Sequence, residues 1–165
     1  MGGTIDSHWE GKLDTAVTNE RSVIPRFFQS LILYADVNFK EISMKDSRQL
    51  TPHDLTVLSE VVESAKEKKI IITHGTYTMP DTAKYLKAHL KRNDQTIILT
   101  GSMVPLDGFQ SSSSDAGFNL GYAIAKVEDL PVGVYLCMNG RTFAPDEVAK
   151  SLSEGKFFSV FDKQQ

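Results

Sequence analysis

The chain has 165 residues, 41% of them hydrophobic and 24% charged, which is the size of one domain with enough apolar material for one sizeable core. A net charge of −3 with scattered cations excludes a basic field for nucleic acid, and no apolar run is long enough to span a membrane. The single cysteine, Cys137, cannot form an internal disulfide, no metal-ligand spacing surrounds it, and no signal peptide precedes the first motif, so a cytoplasmic protein is expected.

In chain order, a helix is expected over about Ile24 to Leu33. A weak edge strand is expected over Asn38–Ile42, where residues alternate in polarity. Thr51-Pro52-His53-Asp54 is a helix start: a threonine cap, proline at the first helical position and an acid in the first turn. Leu55, Leu58, Val62 and Ala65 then share one face. The β-branched run Lys69–Thr73 is a strand, followed by a helix from about Pro80 to Leu90. Thr96–Thr100 is a second strand. A Gly/Ser loop runs from Gly101 to Ser114, a helix begins near Asp115, and Val132–Leu136 is the third strand, with Cys137 as a buried thiol at its end. Short continuous apolar runs separated by helices predict a mostly parallel sheet covered on both faces, an α/β three-layer sandwich formed by residues 1–165 as a single domain.

In such sheets ligands bind beyond the carboxyl ends of the strands. Thr73-His74-Gly75-Thr76-Tyr77-Thr78 follows the first core strand and Thr100-Gly101-Ser102-Met103 the second; Gly2-Gly3-Thr4-Ile5-Asp6 lies at the chain start. Glycine beside threonine lets backbone approach a ligand while a hydroxyl points at it. Two hydroxyls on one sheet edge suit nucleophilic acyl transfer, and backbone amides in the turns suit an oxyanion. The glycines do not form a phosphate loop, because no Gly-Lys-Ser/Thr follows them.

Gly2-Gly3-Thr4-Ile5, Asp46-Ser47, Ile72-Thr73-His74-Gly75-Thr76, Thr78-Met79, Leu99 through Pro105, and Asp115 with Phe118-Asn119-Leu120 together resemble the N-terminal domain of the bacterial-type asparaginase/glutaminase family, and most its short, single-domain members. The resemblance implies hydrolysis of the side-chain amide of L-asparagine, or a related small amide, to acid and ammonia. It implies Thr4 as nucleophile, Thr76 as the centre of a hydroxyl relay, Ser47 on the substrate's α-carboxylate, and Gly3, Gly75 and Ser102 lining the pocket. It implies no cofactor and no metal. A homodimer or larger homo-oligomer is expected, since short members lack the second domain that covers the site.

The sequence departs from the family pattern at the relay. Where the family has aspartate after the second threonine, Tyr77 stands; where it has lysine before the second core strand, Gln95 stands. The relay is thereby expected to consist of Thr76, Gln95 and Tyr77. A neutral phenol cannot balance a substrate ammonium, and an amide cannot take a proton from Thr76. Activity on asparagine is therefore expected to be weaker than the family pattern suggests, and raised by Tyr77→Asp together with Gln95→Lys more than by either change alone. Arg48, after Ser47, is either a partner for a substrate carboxylate or a solvated side chain. His8 is a candidate base near Thr4, Trp9 a candidate lid aromatic, and Asp6 or Glu10 a candidate replacement acid; His53 and His89 are read as surface residues. The family also carries a core strand ahead of Gly-Gly-Thr, whereas Met1 directly precedes Gly2, so the expectation is that the sequence starts inside the domain rather than that the fold lacks the strand. Two alternatives stand beside the hydrolase: a degenerate domain that binds an amino acid without turnover, and a hydrolase of changed substrate, with Tyr77 widening the apolar wall.

Overall fold

A computed structural model describes residues 1–107 and 114–162. Part of the expected Gly/Ser loop, residues 108–113, lies outside the described residues. The centre is a sheet of β3 (Lys69–Thr73), β4 (Thr96–Thr100), β5 (Gly133–Met138) and β6 (Arg141–Phe143), in that order. The first three strands are parallel, with Ile71 opposite Ile98 and Ile98 opposite Tyr135; β6 returns antiparallel. Asn139 and Gly140 turn the chain between β5 and β6, both at positive φ, the backbone that a two-residue hairpin favours.

Alternation along the strands sorts the core into two halves. Ile72, Ile97, Leu99, Leu136 and Met138 pack with Leu58 and Val62 of α2 (Pro52–Ser64) and with Met79, Ala83 and Leu86 of α3 (Met79–His89). Ile98 and Cys137 face the other way, onto Ala123 and Val127 of α4 (Ala116–Asp129). The result is the helix–sheet–helix sandwich, and each such side chain fully buried contributes roughly 1.5–3 kcal/mol. The expected start of α2 is a reciprocal cap: Thr51 Oγ1 accepts from Asp54 N, and the Asp54 carboxylate accepts from Thr51 N. Among the described residues no helix is long and apolar enough to cross a membrane.

Three expectations differ from the structure. The first helix, α1 (Ile24–Gln29), stops four residues early, where the Ser30 hydroxyl donates to Phe27 O and competes with the helical pattern. Asn38–Ile42 forms no strand and joins none of the three sheets among the described residues. Two hairpins were not foreseen: β1 (Ser7–Glu10) with β2 (Thr15–Thr18), and β7 (Val148–Ser151) with β8 (Lys156–Ser159).

Candidate active site

A cleft of about 210 Å³ opens at the carboxyl ends of the parallel strands, lined by Thr4, Asp46, Ser47, Arg48, Gly75, Thr76, Tyr77 and Lys150. Its walls meet through glycine. Gly3, at φ +78°, lies so close to Gly75 that a Cβ on it would strike the Gly75 backbone. A Cβ on Gly75 would come within 2.6 Å of Ser47 Cβ and 2.7 Å of Ser47 Oγ. Only two bare backbones allow this stacking, and it brings the segments carrying Thr4, Ser47 and Thr76 to one place. Gly3 N donates to Lys45 O (2.9 Å), Thr78 N donates to Ser47 Oγ (3.4 Å) and Thr78 Oγ1 donates to Ser47 O (3.0 Å), which fixes the three segments to one another.

Beneath this turn His74 is fully buried, its Nδ1 2.7 Å from Gly75 O and its Nε2 3.0 Å from Thr82 Oγ1. With a carbonyl at Nδ1, that nitrogen carries the proton and Nε2 accepts from Thr82. Burial lowers the imidazole to about 4, so it is neutral at physiological pH.

A close contact at the Thr76 hydroxyl comes from outside these segments. Lys150, on β7, donates from Nζ to Thr76 Oγ1 at 2.7 Å. Burial, and then the cation of Arg48, hold its ammonium below the ordinary lysine value. Arg48 grips Asp46 through Nε and Nη2, both at 2.9 Å, and its guanidinium lies 5.6 Å from the Tyr77 ring centroid. The side-chain bond to Arg48 keeps Asp46 below the usual carboxylate range. Tyr77 itself is 54% exposed and forms the outer wall.

Of the residues expected from sequence, Thr4, Ser47, Arg48, Gly75, Thr76 and Tyr77 converge on the cleft, with Gly3 packed directly behind. Gln95 does not. It precedes β4, at the amino end of the sheet, and its Nε2 donates to Val62 O (3.0 Å) and Glu67 O (3.1 Å). A five-residue strand separates it from the cleft by about 17 Å. The group in contact with Thr76 is Lys150, so the expected relay of Thr76, Gln95 and Tyr77 is corrected at Gln95. Ser102 is also displaced from the cleft wall: it is fully buried and donates to Val104 O at 2.6 Å. The Asp6 carboxylate turns away to accept from Ser22 Oγ and Val23 N, and its burial raises its pKa. Glu10 accepts from Lys12 N, and His8 Nδ1 meets Asn19 Oδ1 at 2.8 Å on the outer hairpin, so neither lines the cleft. A second cleft of about 220 Å³, between α1 and Leu106–Asp107, holds an Arg26–Asp107 ion pair. Among the described residues its one hydroxyl is that of Ser30, which donates to Phe27 O.

Comparison with known proteins places the fold. The family description "Asparaginase, N-terminal" matches residues 1–163. The chain is 33% identical over 114 residues to the glutaminase-asparaginase of Acinetobacter glutaminasificans, covering 65% of this chain and 33% of that protein. It is 30% identical over 115 residues to L-asparaginase 1 of Escherichia coli K12, covering 68% and 33%. The thermostable L-asparaginase of Thermococcus kodakarensis superposes with a TM-score of 0.81 at 26% identity, over 96% of this chain and 49% of that one. The probable cytoplasmic L-asparaginase of Campylobacter jejuni gives 0.76 at 25% identity, over 98% and 51%. The chain thus spans about a third of the length of these curated relatives and about half that of the solved structures. With the family's N-terminal description met over nearly its whole length and its cleft at the expected strand ends, the chain belongs to the asparaginase family.

Proposed function

We propose that this chain acts as a single amidohydrolase domain that converts the side-chain amide of L-asparagine, or a related small amide, to acid and ammonia. The observation that carries the reading is the 2.7 Å contact between Lys150 Nζ and Thr76 Oγ1, in a cleft that Thr4 also lines. Burial and the Arg48 cation disfavour the Lys150 ammonium, so it gives up its proton more readily than an ordinary lysine, and the amine so freed accepts a proton from a hydroxyl.

In this reading Thr4 Oγ1 bonds to the amide carbon while its proton passes by way of Thr76 to neutral Lys150. Backbone amides in the Gly75–Thr76 turn stabilise the oxyanion. The C–N bond then breaks, the proton returns to the departing nitrogen, and ammonia leaves. Water attacks the Thr4 ester by the same proton route, releasing the acid and restoring both side chains. Because Lys150 touches Thr76 directly, a second reading makes Thr76 itself the nucleophile. The direct test is ammonia release from asparagine and glutamine by the native chain, Thr4→Ala and Thr76→Ala, with intact-mass analysis of quenched reactions to locate the acyl group. Native activity no greater than that of Thr4→Ala and Thr76→Ala would replace both readings with the non-catalytic amino-acid-binding domain.

A homodimer or larger assembly and a cytoplasmic setting form part of the proposal. Ile32 and Tyr34 are fully exposed in an apolar stretch that also includes Leu31 and Leu33, the kind of surface a second copy covers. The Campylobacter jejuni relative supports the setting.

A further inference from the structure

The charges of the cleft are unbalanced, and this bears on which amides fit. Its lining holds two cations, Arg48 and Lys150, and one carboxylate, Asp46. Asp46 is already committed: Oδ1 accepts from Arg48 Nε and Arg48 N, and Oδ2 accepts from Arg48 Nη2. Its charge is therefore neutralised within the wall. Lys150 is held by the Thr76 hydroxyl rather than by an acid. Of the nearby acids that might have compensated, Asp6 faces Ser22 and Val23, and Glu10 sits on the outer hairpin.

We propose that the cleft selects small ω-amides that carry a carboxylate but no ammonium group, of which succinamate, the monoamide of a four-carbon dicarboxylic acid, is the simplest. The inference rests on the amidohydrolase reading and names its substrate class. An incoming carboxylate meets a surplus positive charge. An α-ammonium beside it meets the same surplus, and Asp46, the one acid among the described lining residues, is already paired; like charges brought together disfavour a ligand strongly. Asp46 takes the Nε and Nη2 side of the guanidinium, which leaves the Nη1 donors for a ligand carboxylate. Tyr77, its ring centroid 5.6 Å from that guanidinium, puts a neutral ring at the entrance. A volume of about 210 Å³ is below the roughly 300 Å³ at which sites for larger ligands begin, so the ligand is small.

The test is calorimetric titration of the full chain with succinamate and with L-asparagine at neutral pH, beside ammonia release from each. Succinamate is expected to bind on the order of tenfold more tightly. Arg48→Gln, at an exposed side chain whose loss leaves the core intact, removes one cation and frees the Asp46 carboxylate; it should weaken succinamate, strengthen asparagine and so narrow or reverse the ratio. Asparagine binding as tightly as succinamate, no heat with succinamate at millimolar concentration, or a ratio unmoved by Arg48→Gln would each overturn the inference. Tight succinamate binding without ammonia release would leave the charge preference standing and remove the hydrolase. Ammonia release with asparagine preferred would do the reverse.

Discussion

The turns after β3 and β4 look alike in sequence and differ in what they do. Each follows a parallel strand ending in threonine, and each contains a glycine followed at once by a hydroxyl: Gly75-Thr76 in one, Gly101-Ser102 in the other. The first opens on the cleft, and its hydroxyl meets Lys150. The second is drawn inward. Asp115, at the head of α4, accepts from Met103 N and Val104 N at 3.0 Å each, and Ser102 donates to Val104 O. A hydroxyl beyond a strand end therefore becomes chemically available only when a distant element supplies its partner and no local carbonyl captures it.

Substitutions break the comparison most sharply at Lys150. Lys150→Met should lower ammonia release by roughly 10²–10⁴-fold, the usual contribution of positioned acid–base groups. The same loss is expected from Thr76→Val, since the two act on one proton. Steady-state assays on folded variants, checked by circular dichroism, measure this; a change under threefold would place the proton elsewhere.

A smaller effect separates the two turns by pH. Folded His74, at about 4, takes up a proton less readily than the unfolded chain with its ordinary 6.5. Its contribution to stability is therefore complete above about 6.5 and is lost as pH falls toward 4, to a limit of about 3 kcal/mol. His74→Asn should flatten that part of the stability curve in urea titrations, and Ser102→Ala should leave it unchanged.

The smallest effect tests the inward turn alone. Ser102→Ala should cost about 1 kcal/mol of stability through the lost bond to Val104 O, while ammonia release stays within about threefold of native. A large fall in activity would return Ser102 to the chemistry.

The sandwich was legible because its strands are dense β-branched runs and α2 carries its cap in its first four residues. The hairpins were not. Ser7–Glu10 and Thr15–Thr18 show little burial, so they carry no apolar alternation to read. Asn139-Gly140, the β5–β6 turn, is a pair that suits a two-residue hairpin, yet it was not read as one. The segments carrying Thr4 and Thr76 were legible because each sets glycine beside a hydroxyl, and Ser47 was legible only through the family resemblance. Lys150 was not, for it lies 74 residues from Thr76. Its only local sign is register: Val148 is buried, and in a strand the residue two further on shares its face, so a lysine there points inward. Gln95 was misplaced because position before a strand says nothing about which end of the sheet the site uses.

The contact of Gly3 with Gly75, and of Gly75 with Ser47, has a consequence for how such a protein can diverge. The floor of the cleft is set by the thickness of main chain, so mutational drift there is nearly forbidden: any added carbon separates the walls. Arg48 and Tyr77 stand at the solvent rim, where substitutions disturb no packing. A lineage can thus exchange its rim, and with it the molecules it admits, while inheriting an unaltered floor. A library randomised at positions 48 and 77 alone is the economical route to new substrates on this scaffold.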